Sequence, residues 1–281
     1  MKSKVVVITG ASGGIGAALA RRLARDGHML VLAARREREL QRVADECREL
    51  GAAKAIAASV DVTRRDQVFE LRDKAIAEFG RIDVWVNNAG RGITRSVLDL
   101  TDEDVDEMIA VNLKSAIYGM QAAVSYFIER GEGHVINVSS FLGRVPIASF
   151  RSVYSASKAA LNSLTSNLRM DLREHPGVLV SLVMPGVVTT DFARNVRGNV
   201  RPPISAAAPG APPMHPQTPE EVADRIAEVI DKPVAELYTN PASAEIARRY
   251  YADVVAFERS GPPPQSRPPR APNDSQPQTR S

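Results

Sequence analysis

Two kinds of segment alternate along the chain, and this alternation limits its fold more than any other feature. Short apolar runs rich in β-branched residues, in which apolar and polar positions do not strictly alternate, are typical of strands covered on both faces. The runs are KVVVIT (4–9), HMLVLAA (28–34), KAIAASV (54–60), IDVWVN (82–87), HVINVS (134–139) and VLVSLVM (178–184), and AELYTN (235–240) is expected to form a last strand. After the first run, a helical stripe is formed by Ile15, Ala18, Leu19 and Leu23. Strand and helix in turn predict right-handed crossovers and an α/β fold, a doubly wound parallel β-sheet flanked by helices in a single domain.

Size, charge and cysteine content narrow the classes of function. The 281 residues, 44% of them hydrophobic, can bury the core of one large domain. The formal charge of +3 includes +2 from residues 260–281, where three arginines stand against one aspartate, and no basic patch carries interleaved aromatics. No nucleic-acid partner is therefore expected. No apolar run reaches the ~18 residues that span a bilayer, so no membrane partner is expected either. A single cysteine excludes an internal disulfide and fits a cytoplasmic protein.

The chain changes character towards its C-terminal end. Residues 191–218 show no periodicity and are crowded with prolines, which break helices and central strands. A long loop of this kind predicts a lid over a substrate pocket. The segment TPEEVADRIAEVID follows as a helix, with Thr218 and Glu221 placed to form a capping box. We expect one domain over residues 1–258 and a disordered Pro/Arg-rich tail over residues 259–281.

A glycine-rich turn joins the first strand to the first helix. In VVVITGASGGIGAALA, Gly10, Gly14 and Gly16 stand between the apolar run and the helical stripe. Glycine lets a backbone turn sharply and come close to a pyrophosphate, which then lies against free amides at the helix N-terminus. With a strand before it and an amphipathic helix after it, this turn predicts a nucleotide-binding site.

Five further motifs follow the turn in order: NNAG (87–90), VNLKS (111–115), INVSS (136–140), YSASK (154–158) and PGVVTT (185–190). With the spacing of the glycines after TG, they make the chain similar to the short-chain dehydrogenase/reductase family, over about residues 4–192 and more weakly to about residue 240. The resemblance implies a Rossmann-type fold with an NAD(P) cofactor. It implies an oxidoreductase that interconverts a small-molecule carbonyl compound and its alcohol by hydride transfer. It also implies a homodimer or homotetramer.

Four residues match the catalytic positions of that family: Asn112, Ser140, Tyr154 and Lys158. A phenol has a pKa near ~10, and an ammonium group one helical turn away favours the phenolate and brings this pKa closer to neutrality. By resemblance, Tyr154 is the general acid in carbonyl reduction and the base in alcohol oxidation. Lys158 also binds the nicotinamide ribose, Ser140 holds the substrate oxygen, and Asn112 supports a water relay. Ser140 stands fourteen residues before Tyr154, where thirteen is usual in the family, so Ser139 stays an alternative.

The resemblance also assigns the residues that bind the cofactor. They are Gly10, Ser12, Gly14, Ile15, Gly16, Asp61, Val62, Asn88, Ala89, Gly90, Tyr154, Lys158, Pro185, Gly186, Val188 and Thr190. Residues 87–90 line the adenosine side, Asp61 meets the adenine, and Thr190 meets the nicotinamide carboxamide. Asp61 has an alternative role as a cap for a helix that starts near Thr63.

The residues after the second strand distinguish the two nicotinamide cofactors. An Asp or Glu there binds a free ribose 2′-hydroxyl and would repel a 2′-phosphate. This chain has Ala34 at that position, followed by Arg35 and Arg36, whose guanidinium groups can bind a phosphate through paired hydrogen bonds. We therefore predict NADP (NADPH) as the cofactor. The alternative is that both arginines begin a charged surface helix, which continues through residues 37–39.

Apolar side chains follow the catalytic motifs and indicate the kind of substrate. Phe141, Ile147, Phe150 and Phe192 predict an apolar ketone or aldehyde, although each could equally belong to the core. An alternative function is a regulatory or interaction protein that binds NADP on the same fold without turnover. The intact set of catalytic residues disfavours this alternative, because a sensor does not need them.

The remaining residues with chemical potential have structural interpretations. His28, His134, His175 and His215 have neither acidic partners nor the spacing of metal ligands. We expect them to be surface or strand-end residues, and no metal site is predicted. Cys47 is expected to be a half-buried helix thiol, because no activating charge pattern surrounds it.

Overall fold

The computed structural model describes residues 3–189 and 214–260. The strands in these ranges are β1 (Val5–Thr9), β2 (Met29–Ala34), β3 (Lys54–Ser59), β4 (Val84–Asn87), β5 (Gly133–Val138), β6 (Val178–Met184) and β7 (Glu236–Tyr238). They form one sheet in the order β3-β2-β1-β4-β5-β6-β7, in which every neighbouring pair is parallel. The strand order changes direction between β1 and β4, as in a Rossmann-type fold. The predicted doubly wound α/β sheet in a single domain is confirmed.

The helices of the described ranges are α1 (Gly14–Arg25), α2 (Glu37–Glu49), α3 (Arg65–Phe79), α4 (Asp102–Ile109), α5 (Ser115–Arg130), α6 (Ser152–Asp171), α7 (Pro219–Asp231), α8 (Ala242–Ala252) and α9 (Val254–Ser260). The predicted capping box of α7 is present, with Thr218 and Glu221 each accepting the other's backbone amide. The single helix that the sequence predicts near residues 242–258 is two helices instead. Asp253 adopts an extended conformation between them, and its Oδ1 accepts the amide of Ala256 at 2.9 Å.

Helices cover both faces of the sheet. On one face, α1, α2 and α7 bury an apolar cluster that includes Leu19 and Ile226. On the other face, α3, α5 and α6 bury a second cluster that includes Trp85 and Phe127. Residues 5–8 of the central strand are inaccessible to solvent. Burial on both faces explains why this strand is apolar without alternation.

Three side chains are more buried than the sequence predicts. Cys47 lies fully buried on α2, and burial raises the pKa of its thiol to about 11, which makes it unreactive. His28 and His134 lie at strand ends, as expected, but both are buried. Burial lowers the pKa of His134 to about 4, and its Nε2 shares a hydrogen bond with Ser181 Oγ at 2.8 Å.

The turns that carry the sequence motifs meet at one edge of the sheet. Because all strands are parallel, their carboxyl ends lie together there. Residues 10–13 follow β1, residues 35–36 follow β2, residues 88–90 follow β4, Ser140 lies just after β5, and Pro185 follows β6. Within residues 3–189 and 214–260, no helix could span a membrane. The same residues contain no group of three or more His, Cys, Asp or Glu side chains that could hold a metal ion.

Candidate active site

The glycine turn lies in contact with the backbone that follows β4. Gly10 and Gly14 have φ angles of 69° and 53°, in the left-handed region that favours glycine. A Cβ atom on Gly10 would lie 2.8 Å from Ala89 Cα, and one on Gly16 would lie 2.5 Å from Gly10 O. The N-cap of α1 is Gly13, which has no side chain to accept a hydrogen bond from the helix. The first N–H groups of α1 are therefore available to a ligand. The turn therefore fits a pyrophosphate that approaches the backbone closely.

Arg36 lies across the same turn. Its Nε donates to Ser12 Oγ at 3.1 Å, and a Cβ atom on Gly13 would lie 2.9 Å from its Nη2. We considered the alternative that the two arginines begin a charged surface helix, and Arg36 is indeed the N-cap of α2. Its guanidinium nevertheless reaches back to the glycine turn. Ala34 places no carboxylate at the end of β2, and Arg35 is exposed beside it, so two cationic side chains directly follow this strand.

Asp61 organises a turn between β3 and α3. Its Oδ1 accepts from the backbone nitrogen of Thr63 at 3.0 Å and from Thr63 Oγ1 at 2.8 Å. Burial opposes ionisation, but these bonds and the charge of Arg35 hold the pKa of Asp61 below its ordinary value. The cap of α3 is Arg64, so Asp61 stabilises the preceding turn and not the helix itself. Val62 lies inside this turn.

Thr9 fixes the NNAG segment to β1, a role that we did not predict from the sequence. Its Oγ1 accepts from the amides of Asn88 at 3.0 Å and Ala89 at 3.1 Å, and donates to Val86 O at 3.2 Å. Asn88 Nδ2 donates in return to Thr9 O at 2.9 Å. The signal for this role was the threonine that directly precedes Gly10.

The side chain of Asn87 turns into the core, although we expected residues 87–90 to line the adenosine side. Its Oδ1 accepts from Trp85 Nε1 at 2.8 Å, and its Nδ2 donates to Asn137 Oδ1 at 2.8 Å. Asn137 Nδ2 donates in turn to Thr165 Oγ1 at 2.9 Å. This buried chain of hydrogen bonds joins β4, β5 and α6 beneath the site, and a fully satisfied network of this kind rigidifies the core.

Ser140, and not Ser139, lies against the phenol of Tyr154. A hydrogen bond from the Ser140 hydroxyl favours the phenolate. Ser140 Oγ also accepts from Leu142 N at 3.2 Å, which orients the hydroxyl. Ser139 Oγ instead donates to Asn162 Oδ1 at 2.5 Å and contacts the backbone of α6. The structure therefore brings together the pair that residue matching selects, despite the longer gap between them.

The charges around Tyr154 differ from the prediction. Burial raises the pKa of the Tyr154 phenol, and the Ser140 hydrogen bond and the nearby Arg151 guanidinium only partly oppose this. Lys158 Nζ donates to Val138 O at 3.0 Å, and burial lowers the pKa of this ammonium group to about 8. One helical turn of separation places both groups on the same face, but burial decides the direction of both pKa shifts.

Asn112 lies in a π-helical segment, Ala110–Lys114, between α4 and α5. Its Oδ1 accepts from the amide of Arg91 at 2.8 Å, and its Nδ2 donates to Arg91 O at 2.9 Å and to Ser157 Oγ at 3.2 Å. A Cβ atom on Gly90 would lie 3.2 Å from Asn112 Oδ1 and 3.6 Å from Lys158 Nζ. Gly90 thus lets both side chains come close to the end of β4.

The segment after β6 closes the edge of the site. Pro185 O accepts from Phe141 N at 2.8 Å. Gly186 packs near Met214, whose Sδ would lie 3.0 Å from a Cβ atom on this glycine. Val188 pairs with Gln217 in an isolated parallel bridge. Thr190 and most of the predicted lid, as well as the predicted tail beyond residue 260, lie outside the described residues.

The apolar side chains expected around a substrate are distributed differently. Phe141 is fully buried in a cluster with Val145 and Ile246, and Ile147 packs against this cluster. These two residues therefore belong to the core. The ring of Phe150 lies next to the Arg151 guanidinium, and the distance from Arg151 Cζ to the ring centroid is 5.8 Å. Phe192 lies outside the described residues.

Comparison with known proteins finds a family model and relatives that agree with each other. A family model described as short chain dehydrogenase matches residues 4–201. An uncharacterized oxidoreductase of Staphylococcus epidermidis is 35% identical over 206 residues, which cover 73% of this chain and 87% of the relative.

Solved structures resemble the whole fold. An alcohol dehydrogenase of the archaeon Thermococcus sibiricus, complexed with 5-hydroxy-NADP, is 31% identical with a TM-score of 0.72, and the match covers 85% of this chain and 97% of that chain. A short chain dehydrogenase/reductase of Burkholderia phymatum in complex with NAD is 30% identical with a TM-score of 0.79, covering 91% and 95% of the two chains. Neighbours of this fold thus bind either nicotinamide cofactor.

Proposed function

The chain belongs to the short-chain dehydrogenase/reductase family of oxidoreductases, and we propose that it interconverts a ketone or aldehyde and its alcohol with NADP(H). The observation that carries this proposal is the hydrogen bond between Ser140 and Tyr154 at the carboxyl edge of the sheet. Lys158 and Asn112 both lie close to Gly90, at the end of β4. Two hydroxyl groups that meet at one point can both bind a single substrate oxygen.

The cofactor would lie along the edge from the glycine turn to Pro185. Gly10, Gly13 and Gly16 leave the backbone open to the pyrophosphate, and Arg36 with Ser12 would hold the 2′-phosphate. When bound, NADP(H) supplies or accepts the hydride. The protein's own task is to orient the substrate and to move one proton.

Tyr154 would be the proton donor in carbonyl reduction. Because burial raises its pKa, the phenol keeps its proton at neutral pH and can donate it to the carbonyl oxygen. Ser140 would donate a hydrogen bond to the same oxygen, which stabilises the charge that develops there. The protonated phenol is the form that carbonyl reduction requires, and alcohol oxidation requires the phenolate.

Lys158 and Asn112 would support Tyr154 without contacting the substrate. The ammonium group of Lys158 is held by Val138 O and would contact the nicotinamide ribose. Asn112 holds the backbone of Arg91, so that Gly90 and the end of β4 keep their positions. A water relay from this corner would return the proton to Tyr154 after each turnover.

A panel of ketones and aldehydes tests the proposal, with NADPH and NADH compared by the absorbance of the reduced nicotinamide. We expect turnover with NADPH, a kcat/KM for NADPH well above that for NADH, and loss of turnover in Tyr154→Phe with cofactor binding kept. NADPH binding without turnover of any substrate would favour the alternative of an NADP-sensing protein. An equal kcat/KM for NADH and NADPH would contradict the assignment of Arg36 to the 2′-phosphate.

We also propose that the protein forms a homodimer or homotetramer through the helical regions that carry Asn112 and Tyr154, as family membership implies. The C-terminal helices α8 and α9 pack against the turn after β5, in the cluster around Phe141. Sedimentation equilibrium of the full chain tests the assembly. A monomer at micromolar concentration would contradict it.

A further inference from the structure

Arg151 lies directly before α6, three residues ahead of Tyr154. Its Nη1 donates to Ile93 O at 3.1 Å, and its guanidinium stands 5.8 Å from the ring centroid of Phe150. Its charge acts on the Tyr154 phenol. The guanidinium is thus held by backbone and aromatic contacts beside the proposed proton donor.

Other arginines near this corner have acidic partners. Arg95 pairs with the buried Asp104 at 2.9 Å, and Arg91 pairs with Glu107. Arg151 forms no salt bridge with any acidic side chain of residues 3–189 and 214–260. Lys158, one helical turn after Tyr154, donates to a backbone carbonyl. Arg151 and Lys158 thus both lack a carboxylate partner among the described residues.

This position is unfavourable for a cation. Arg151 is half-buried, and this burial lowers the pKa of its guanidinium. Arg151 is also the N-cap of α6, a helix of 20 residues, whose N-terminus carries partial positive charge. A half-buried cation without a carboxylate partner costs desolvation energy that a hydrogen bond to one carbonyl only partly offsets, and an apolar side chain would fill the same space at less cost. The arginine is therefore explained better by a ligand than by packing.

We propose that Arg151 is a specificity-determining residue that binds the carboxylate of the substrate, so that the reaction proposed above acts on an oxo acid and its hydroxy acid. The planar fork of a guanidinium matches a carboxylate through two parallel hydrogen bonds. In reduction, the hydride adds to the carbonyl carbon and the proton of Tyr154 goes to its oxygen. The carboxylate changes no bonds and only positions the carbonyl group. This inference rests on the proposed carbonyl reductase activity.

The first test uses the wild-type protein and therefore does not depend on a variant. Matched pairs of 2-, 3- and 4-oxo acids and their methyl esters are compared as substrates with NADPH. We expect at least one oxo acid to have a kcat/KM roughly 10- to 100-fold above that of its ester, the range for a charge-assisted hydrogen-bonded pair. Turnover of every acid and its ester at equal efficiency would overturn the role of Arg151. Preference for a phosphorylated ketone over every oxo acid would also overturn the carboxylate assignment.

The second test uses three variants: Arg151→Met, Arg151→Lys and Arg173→Met. Arg151→Met should bring the acid-to-ester ratio of kcat/KM close to 1, mainly through a raised KM for the acid, since the ester has no charge to pair. Arg151→Lys should keep part of the preference, because it retains the charge but not the fork. Arg173 is exposed beyond the far end of α6, so its variant should keep the wild-type ratio.

The two proposals fail in distinguishable ways. Absence of turnover with all acids and all esters contradicts the proposed reductase function. Turnover with an unchanged acid-to-ester ratio in Arg151→Met contradicts the inference on Arg151 alone. Near-equal melting temperatures and NADPH affinities of the variants establish that the ratio does not reflect unfolding.

Discussion

The guanidinium of Arg36 donates to Ser12 Oγ over 3.1 Å and so connects two turns that are 24 residues apart in the sequence. One turn follows β2, and the other is the glycine turn after β1. A 2′-phosphate bound between the two turns would meet a cation that is already held in place. Pre-organisation of this kind reduces the entropy lost on binding.

Arg36→Leu should weaken NADPH without a comparable effect on NADH. We expect KM for NADPH to rise about 10- to 100-fold, since a hydrogen bond to a charged group is worth about 1.5–3 kcal/mol, and KM for NADH to change less than about 3-fold. Steady-state kinetics with both cofactors measure the difference. Arg42→Leu is the matched control, because Arg42 lies on α2 with its side chain 67% exposed. Parallel losses for both cofactors would show that Arg36 serves only the fold.

Tyr154→Phe should lower kcat by at least about 100-fold, the lower range of general acid catalysis. The ring and its packing are kept, so NADPH affinity, followed by nicotinamide fluorescence, should change by less than about 3-fold. Tyr126→Phe on α5 removes a hydroxyl outside the site and should keep the wild-type rate. A Tyr154→Phe protein with most of its turnover would require another proton donor.

Gly16→Ala should impair both stability and cofactor binding. The new methyl group would stand 2.5 Å from Gly10 O and 2.6 Å from Asn88 Nδ2, and relief of such overpacking costs about 1–3 kcal/mol. Thermal unfolding with and without NADPH should show a lower Tm and a smaller shift by the cofactor. Gly27→Ala is the comparison, because Gly27 has a φ of 75° but nothing within 4 Å of an added Cβ atom. It should lose about 1 kcal/mol of stability through strain and keep NADPH affinity.

His134 should make the fold less stable in mild acid. Its pKa is about 4 in the folded protein and about 6.5 in an unfolded chain, so the unfolded state binds more protons between these values. The free energy of unfolding should therefore rise with pH from about 4 to 6.5, with up to about 3 kcal/mol from His134. Urea denaturation across this range should show a flatter pH dependence in His134→Gln. His215 is exposed, and His215→Gln should follow the wild-type slope.

Features that depend on local periodicity could be predicted from the sequence. The seven strands, the glycine turn and the capping box of Thr218 each have a pattern within a few residues. The split of the last helical segment escaped prediction, because it depends on Asp253 capping the residue three places later. The sequence shows that residue 253 is an aspartate, but an aspartate at this place can either cap a new helix or continue the existing one.

Features set by packing between distant segments could not be predicted. The spacing of Tyr154 and Lys158 indicates a shared helix face, but burial determines that one pKa rises and the other falls. Asn87 stands in a motif associated with the cofactor, yet the position of Trp85 and Asn137 turns its side chain inward. Arg151 has no sequence signal, since its lack of an acidic partner among the described residues appears only when the chain is folded.

The π-helical segment around Asn112 changes the rotational phase of the helical stretch that contains it. Ser115 N bonds to Ala110 O, five residues back, so the segment contains one residue more than an α-helix would use, and each residue turns an α-helix by about 100°. Met108 before it packs with Ile93 and Val153, while Phe127 after it packs in the cluster beneath the sheet. Deletion of one residue there would leave a straight helix able to satisfy only one of these two neighbours. The extra residue therefore allows one continuous helical stretch to pack against two apolar clusters, with the amide side chain of Asn112 between them.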